Sequence, residues 1–200
     1  EVITGIANLI ESRDGSTGLH VKNTQNYVQI LTKALREKGM YPDILDHNYE
    51  LNTVKASVLH DIGKIKTPDA ILLKPGRLTD EEFEVMKQHT VAGCEIIDRI
   101  IGNVEHEEYV DIARKIARYH HERWDGTGYP DGLSGEEIPL CARIMALADV
   151  FDALYQDRCY KKAIRPASKV FEIIKENSGS QFDPNLTEIF LELQREITDI

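Results

Sequence analysis

The chain has 200 residues, enough for one domain with a sizeable core, and its length does not demand a second. At 42% hydrophobic and 29% charged it has an ordinary globular balance, and its apolar runs are too short to cross a bilayer, which excludes membrane insertion. A net charge of −10 argues against a nonspecific grip on a nucleic acid polymer, so an anionic ligand would need local positive charge or metal ions.

Taken in chain order, apolar residues recur at helical spacing: Ile3, Ile6, Ala7 and Ile10, then Tyr27, Ile30, Leu31, Ala34 and Leu35, then Val54, Val58 and Leu59. No segment alternates with period two for long enough to be read as a strand, so the expected fold class is all-α. Thr79 followed by Glu82 forms a capping-box signature, and Asp183 before Pro184 predicts a helix start leading into Leu186, Ile189, Phe190, Leu193 and Ile197. Loops are predicted at Gly15 to Gly18, Lys74 to Leu78 and Asp125 to Gly135, with Trp124 and Tyr129 as anchors of the last. Residues 1–200 read as one domain without internal repeats. The opening at Glu1, already in a helical pattern, suggests excision from a longer protein with a sensor or receiver domain upstream. Cys94, Cys141 and Cys159 are odd in number and lack a CxxC pair, which points to a reducing cytoplasm.

Histidine and carboxylate signals fall in order along this framework: His60-Asp61, His89, His120-His121, and Asp149 within an apolar helical run. Imidazole and carboxylate ligands suit iron, manganese, cobalt or zinc. Neighbouring side chains on a helix diverge by about 100°, so doublets suit two ions better than one. Lys64, three residues after Asp61, would face nearly the same way on a continuing helix, although Gly63 is a candidate helix end. Asp152, one turn after Asp149, reads equally as a partner that orients a ligand or as a surface carboxylate. His47 and His106 lie in polar stretches and read as surface residues.

The segment His120-His121-Glu122-Arg123-Trp124-Asp125-Gly126-Thr127-Gly128-Tyr129-Pro130, together with His60-Asp61, resembles the HD-GYP family of metal-dependent phosphodiesterases. The resemblance runs from about Glu11 to about Lys162 and includes Ile71 to Thr79 and Ala142 to Asp149. It implies an HD-domain helical bundle with a Gly/Pro-rich GYP loop, and a dinuclear centre of iron or manganese held by His60, Asp61, His89, His120, His121 and Asp149. Asp61 would bridge, one ion also taking His60 and Asp149 and the other His89, His120 and His121. It further implies that Lys64 serves the scissile phosphate and that Arg158 and Lys161 bind the substrate's phosphates.

His20 either ligates an additional metal or lines the pocket. Ser16 stands where the three-metal subset has a glutamate, and Asn23 where the family often has an arginine. The activity implied is hydrolysis of cyclic di-GMP by a hydroxide held between the ions, to pGpG and on to GMP as an open outcome. The alternatives are another substrate such as cyclic GMP-AMP, or a noncatalytic module that binds a cyclic dinucleotide or a partner. A GGDEF-domain protein is a candidate partner at the GYP loop.

Overall fold

A computed structural model describes residues 2–14, 19–102, 107–156 and 163–200. Among these residues the architecture is helical, without a named strand, as the periodicity predicts. The helices are α1 (Val2–Glu11), α2 (His20–Glu37), α3 (His47–Ala56), α4 (Asp69–Leu72), α5 (Asp80–Ile101), α6 (Glu107–Tyr119), α7 (Leu140–Tyr155), α8 (Ala167–Glu176), α9 (Pro184–Glu192) and α10 (Gln194–Thr198). Short 3-10 turns at Ser12–Asp14, Ser57–Leu59, Ile62–Lys66 and Gly135–Glu137 join them.

The core gathers around α7, whose apolar sequence leaves Leu140, Ile144, Met145, Leu147 and Phe151 buried. Phe151 meets Tyr27 of α2 at 5.1 Å, Phe171 of α8 at 5.0 Å and Phe190 of α9 at 5.6 Å between ring centroids. Burial of each large side chain of this kind contributes roughly 1.5–3 kcal/mol. α2 packs on α3 and α7. Its Thr24 and Thr32 enter that interface because their hydroxyls donate to the carbonyls of His20 (2.9 Å) and Val28 (2.7 Å), which removes the cost of burying them.

Both predicted helix starts are present. In α5, the Thr79 hydroxyl accepts from the Glu82 amide at 3.3 Å while the Glu82 carboxylate accepts from the Thr79 amide at 2.7 Å. In α9, Asp183 accepts from the Asn185 amide at 2.8 Å, and it also takes the buried Arg143 guanidinium at 2.6 Å. The same carboxylate thus caps one helix and neutralises a charge on α7.

A close approach sets the position of the His60-Asp61 dyad. The turn Ile62–Lys66 lies flat on α5, and a Cβ on Gly63 would collide with the His89 carbonyl and lie 2.5 Å from the Gly93 amide nitrogen. Glycine is required there so that the backbone carrying Asp61 can touch the helix carrying His89. Lys64 therefore does not follow the dyad on a continuing α-helix, in keeping with Gly63 as a candidate helix end. His60 and Asp61 lie between two 3-10 turns, and Gly63 is a packing contact within the second.

Candidate metal centre

Four histidines point the same ring atom into one buried space. His60 Nδ1 lies 2.9 Å from the Ser57 carbonyl, His89 Nδ1 2.7 Å from the Met86 carbonyl, and His120 Nδ1 2.9 Å from the Ile116 carbonyl. A carbonyl oxygen only accepts, so each Nδ1 carries a proton, and Nε2 is the ring atom left for a metal ion. On His20, Nδ1 faces Asp152 Oδ2 at 2.7 Å, and Asn23 donates to the other oxygen of that carboxylate at 3.1 Å. Asp152, only 1% exposed, is a buried orienting carboxylate and not a surface one.

The Nε2 atoms of His20, His60, His89 and His120, and Oδ1 of Asp61, are all buried without a hydrogen-bond partner. Five buried polar atoms left so at one place fit a cation as the missing partner.

These atoms form two groups that share Asp61. Asp61, His89, His120 and His121 make one, and His20, His60 and Asp61 the other, with donor atoms in each within 4.8 Å of one another. Asp61 Oδ1 is 3.2 Å from His89 Nε2 and 3.6 Å from His120 Nε2, while Oδ2 is 3.3 Å from His60 Nε2. Asp149, reached from α7, sits at the margin of the second group, 3.5 Å from His20 Nε2. His120 and His121 lie in the turn after α6, with ring centroids 4.1 Å apart, and both join the same group. The divergence of adjacent side chains holds within a helix. Past its last turn, successive side chains can converge.

Charge in this space is unevenly distributed. Burial opposes ionisation of Asp61, but Lys64 and His60 outweigh it and hold the carboxyl well below its usual range. Burial opposes ionisation of Asp149 as well, and His60 and His20 bring it down to about 2. For His60, burial disfavours the cation, yet Asp61 and Asp149 raise the imidazole to about 9. Burial dominates at His120 and His121, which are both pushed down. His120 and His121 are therefore kept neutral, whereas His60 holds a proton against its carboxylates.

Lys64 Nζ lies 2.7 Å from Asp61 Oδ2, so the expected closeness of the two residues holds even though the helix does not. His47 is exposed, in line with the surface reading. Arg158, Lys161, Ser16, His106 and Cys159 lie outside the described residues.

The loop after His121 closes over the site. Tyr129 stacks on His121 at 4.8 Å and meets Phe83 edge-on at 5.9 Å. A Cβ on Gly128 would lie 2.5 Å from the Glu122 Cα, so only glycine lets the loop fold back this tightly. Glu122 Oε1 accepts from the amides of Asp131 (2.8 Å) and Gly132 (3.1 Å), which secures the far side of the loop. Trp124 anchors it from within, donating its amide to the Gln181 carbonyl and accepting from the Gly135 amide. Beside the three-histidine group this leaves a cleft of ≈ 290 Å³ bordered by Phe83, Lys87, Arg123, Thr127, Tyr129 and Gln181.

Sequence reasoning assigned no role to two buried carboxylates, Glu122 and Glu11. For Glu11 a signal existed, a charge continuing the apolar face of Ala7 and Ile10.

Comparison with known proteins agrees with this geometry. The pattern of the HD domain family matches residues 7–186. The chain belongs to the HD domain family. An HD domain binds divalent metal, and the buried His/Asp groups fit such an ion. This HD domain is 46% identical to a cyclic di-GMP phosphodiesterase of Vibrio cholerae over 99% of the chain and 40% of that relative. It is 42% identical to a cyclic di-GMP phosphodiesterase of Thermotoga maritima over 100% of the chain and 50% of the relative. A solved cyclic GMP-AMP-specific phosphodiesterase of V. cholerae shares the fold with a TM-score of 0.65, at 19% identity over 98% of this chain and 50% of that one. The resemblance to HD-GYP proteins and the helical HD bundle are thereby borne out. The chain spans about half or less of the length of these relatives. Among the described residues no helix is long and apolar enough to cross a membrane.

Proposed function

We propose that this HD domain is a metal-dependent phosphodiesterase that hydrolyses cyclic di-GMP to pGpG, with further conversion to GMP left as an open outcome of the assay. The observation carrying this reading is the single carboxylate of Asp61 shared between two sets of buried imidazole Nε2 atoms that lack any other partner. His89, His120 and His121 would hold one ion, iron or manganese, and His60 the other, with Asp149 and His20 at its side and Asp61 between them. Divalent ions at these positions supply Lewis acidity towards the phosphate and lower the pKa of water towards neutrality.

The residues of the chain do the rest. Lys64 places an ammonium beside the phosphate, where it offsets charge developing on the non-bridging and leaving oxygens. Along the cleft Phe83 and Tyr129 offer apolar surface for a nucleobase while Lys87 and Arg123 offer cations for phosphate. Arg158 and Lys161 are assigned to the substrate's phosphates on the strength of the resemblance. The names of the relatives from V. cholerae and T. maritima support cyclic di-GMP. The fold shared with a cyclic GMP-AMP-specific enzyme supports that dinucleotide as the second reading. The surface of the GYP loop is the proposed contact for a GGDEF-domain partner.

The test is incubation of anaerobically prepared, iron- or manganese-loaded protein with each cyclic dinucleotide, beside a His60→Ala, Asp61→Ala control. Appearance of pGpG or GMP only with the intact dyad is the expected result. Loaded protein that leaves both dinucleotides untouched refutes it.

A further inference from the structure

A metal-ligating imidazole needs its ring plane fixed, and a hydrogen bond from the ring nitrogen remote from the ion is the usual means. At this centre Nδ1 of His60, His89 and His120 meets a backbone carbonyl, and Nδ1 of His20 meets Asp152. His121 differs. It belongs to the group of Asp61, His89 and His120, yet among the described residues its imidazole has no hydrogen bond. His120 follows α6 directly and bonds back to the Ile116 carbonyl in the last turn of that helix at 2.9 Å, whereas His121 stands one residue further on.

What borders the His121 ring is aromatic. Tyr129 lies on it with ring centroids 4.8 Å apart and planes inclined at 27°, a stacked pair. His120 at 4.1 Å and His89 at 5.1 Å also touch it, at 43° and 83°, but both are themselves members of the metal group. A stacked ring opposes rotation of its neighbour out of the contact, so it can set a plane as a hydrogen bond does.

Tyr129 is held in turn. Its amide donates to the His121 carbonyl at 3.3 Å, its ring meets Phe83 of α5 edge-on at 5.9 Å, and the Lys87 ammonium lies 5.7 Å from its centroid. A Cβ on Gly128 would come within 2.4 Å of the Arg123 amide nitrogen, so the loop is pressed against the turn that carries His121. Among the described residues no hydrogen bond uses the Tyr129 hydroxyl, which leaves the ring as the part in contact.

We propose that Tyr129 is a positioning residue, whose ring, stacked on His121, fixes the plane of that ligand in place of the hydrogen bond that the other histidines have. The proposal rests on the metal reading above. It gives the loop a function at the metal centre, since anything that lifts the loop loosens the ion at His121 and not the one at His60.

The experiment is titration calorimetry with Mn2+ on wild type, Tyr129→Phe, Tyr129→Leu and Gly128→Ala, with His121→Ala identifying which binding step belongs to His121. Wild type that binds no Mn2+ overturns the metal reading and this proposal with it. Given binding, Tyr129→Phe keeps the ring and retains wild-type affinity at both steps. Tyr129→Leu, which fills similar volume without a flat ring, weakens the His121 step about tenfold and leaves the His60 step unchanged. Emission of Trp124, the sole tryptophan and an anchor of the same loop, stays native in both and shows that the loop keeps its seat. Gly128→Ala retains Tyr129 but drives it off His121, so it reproduces the selective loss and covers the case in which the leucine variant folds poorly. A leucine variant with wild-type affinity overturns the proposal. An equal loss in Tyr129→Phe does so too, because it points to the hydroxyl, as does a loss spread evenly over both steps, which marks a merely structural role.

Discussion

The two halves of the metal centre should load in a fixed order that depends on pH. His120 and His121 are held below the ordinary imidazole range, mainly by burial, so near neutrality no proton stands between them and a cation. His60 is the opposite case, raised to about 9 because Asp61 and Asp149 outweigh its burial. A proton and a metal ion compete for the same Nε2. Below a raised pKa the proton wins more often, so affinity at the His60 side climbs with pH until about 9 and then levels off. Each pH unit is worth about tenfold, close to 1.4 kcal/mol, so the weaker step should tighten roughly thirtyfold between about pH 6.5 and about pH 8.

Titration calorimetry with Mn2+, in buffers of differing ionisation enthalpy, separates the steps and counts protons. The tight step should be flat over this range, and the weak one should release about one proton. His121→Ala should abolish the flat step and leave the pH-dependent one. A weak step that does not move with pH, or loss of the pH-dependent step in His121→Ala, would show that the charge distribution has been misread.

Gly63→Ala pushes a Cβ into the His89 carbonyl, and it should destabilise the fold by about 3 kcal/mol in urea denaturation and lower bound metal. Unchanged stability and metal content would mean that the turn and α5 are not in intimate contact. Asp152→Ala leaves His20 Nδ1 and the Asn23 amide without their acceptor, and it should weaken metal binding about 10–100-fold with native circular dichroism. Unaltered affinity would remove His20 from the centre. Asp183→Ala strands the buried Arg143 guanidinium and uncaps α9, for a loss of about 3–5 kcal/mol in denaturant unfolding. A loss below about 1 kcal/mol would mean that the pair is solvated.

Much of this protein is legible from its residues because the signals are local or specific to residue type. The helical period, the Thr79-Glu82 box and the Asp183-Pro184 start act over one or two turns and hold without reference to the rest of the chain. Histidines and aspartates in an ordered set announce metal chemistry before any fold is known, and all six proposed ligands lie in or beside the two groups. Tertiary structure alone decided the remainder, since it depends on which helices meet. His20 and Asp152 are 132 positions apart, and only the packing of α2 on α7 makes one orient the other. Glu11 acquires its lysine across 53 positions through the seating of α1 on the dyad's turn. The helical setting assumed for the dyad failed for the same kind of reason: Gly63 lets two backbones touch, and that contact, invisible in local propensity, shapes the turn that carries Asp61.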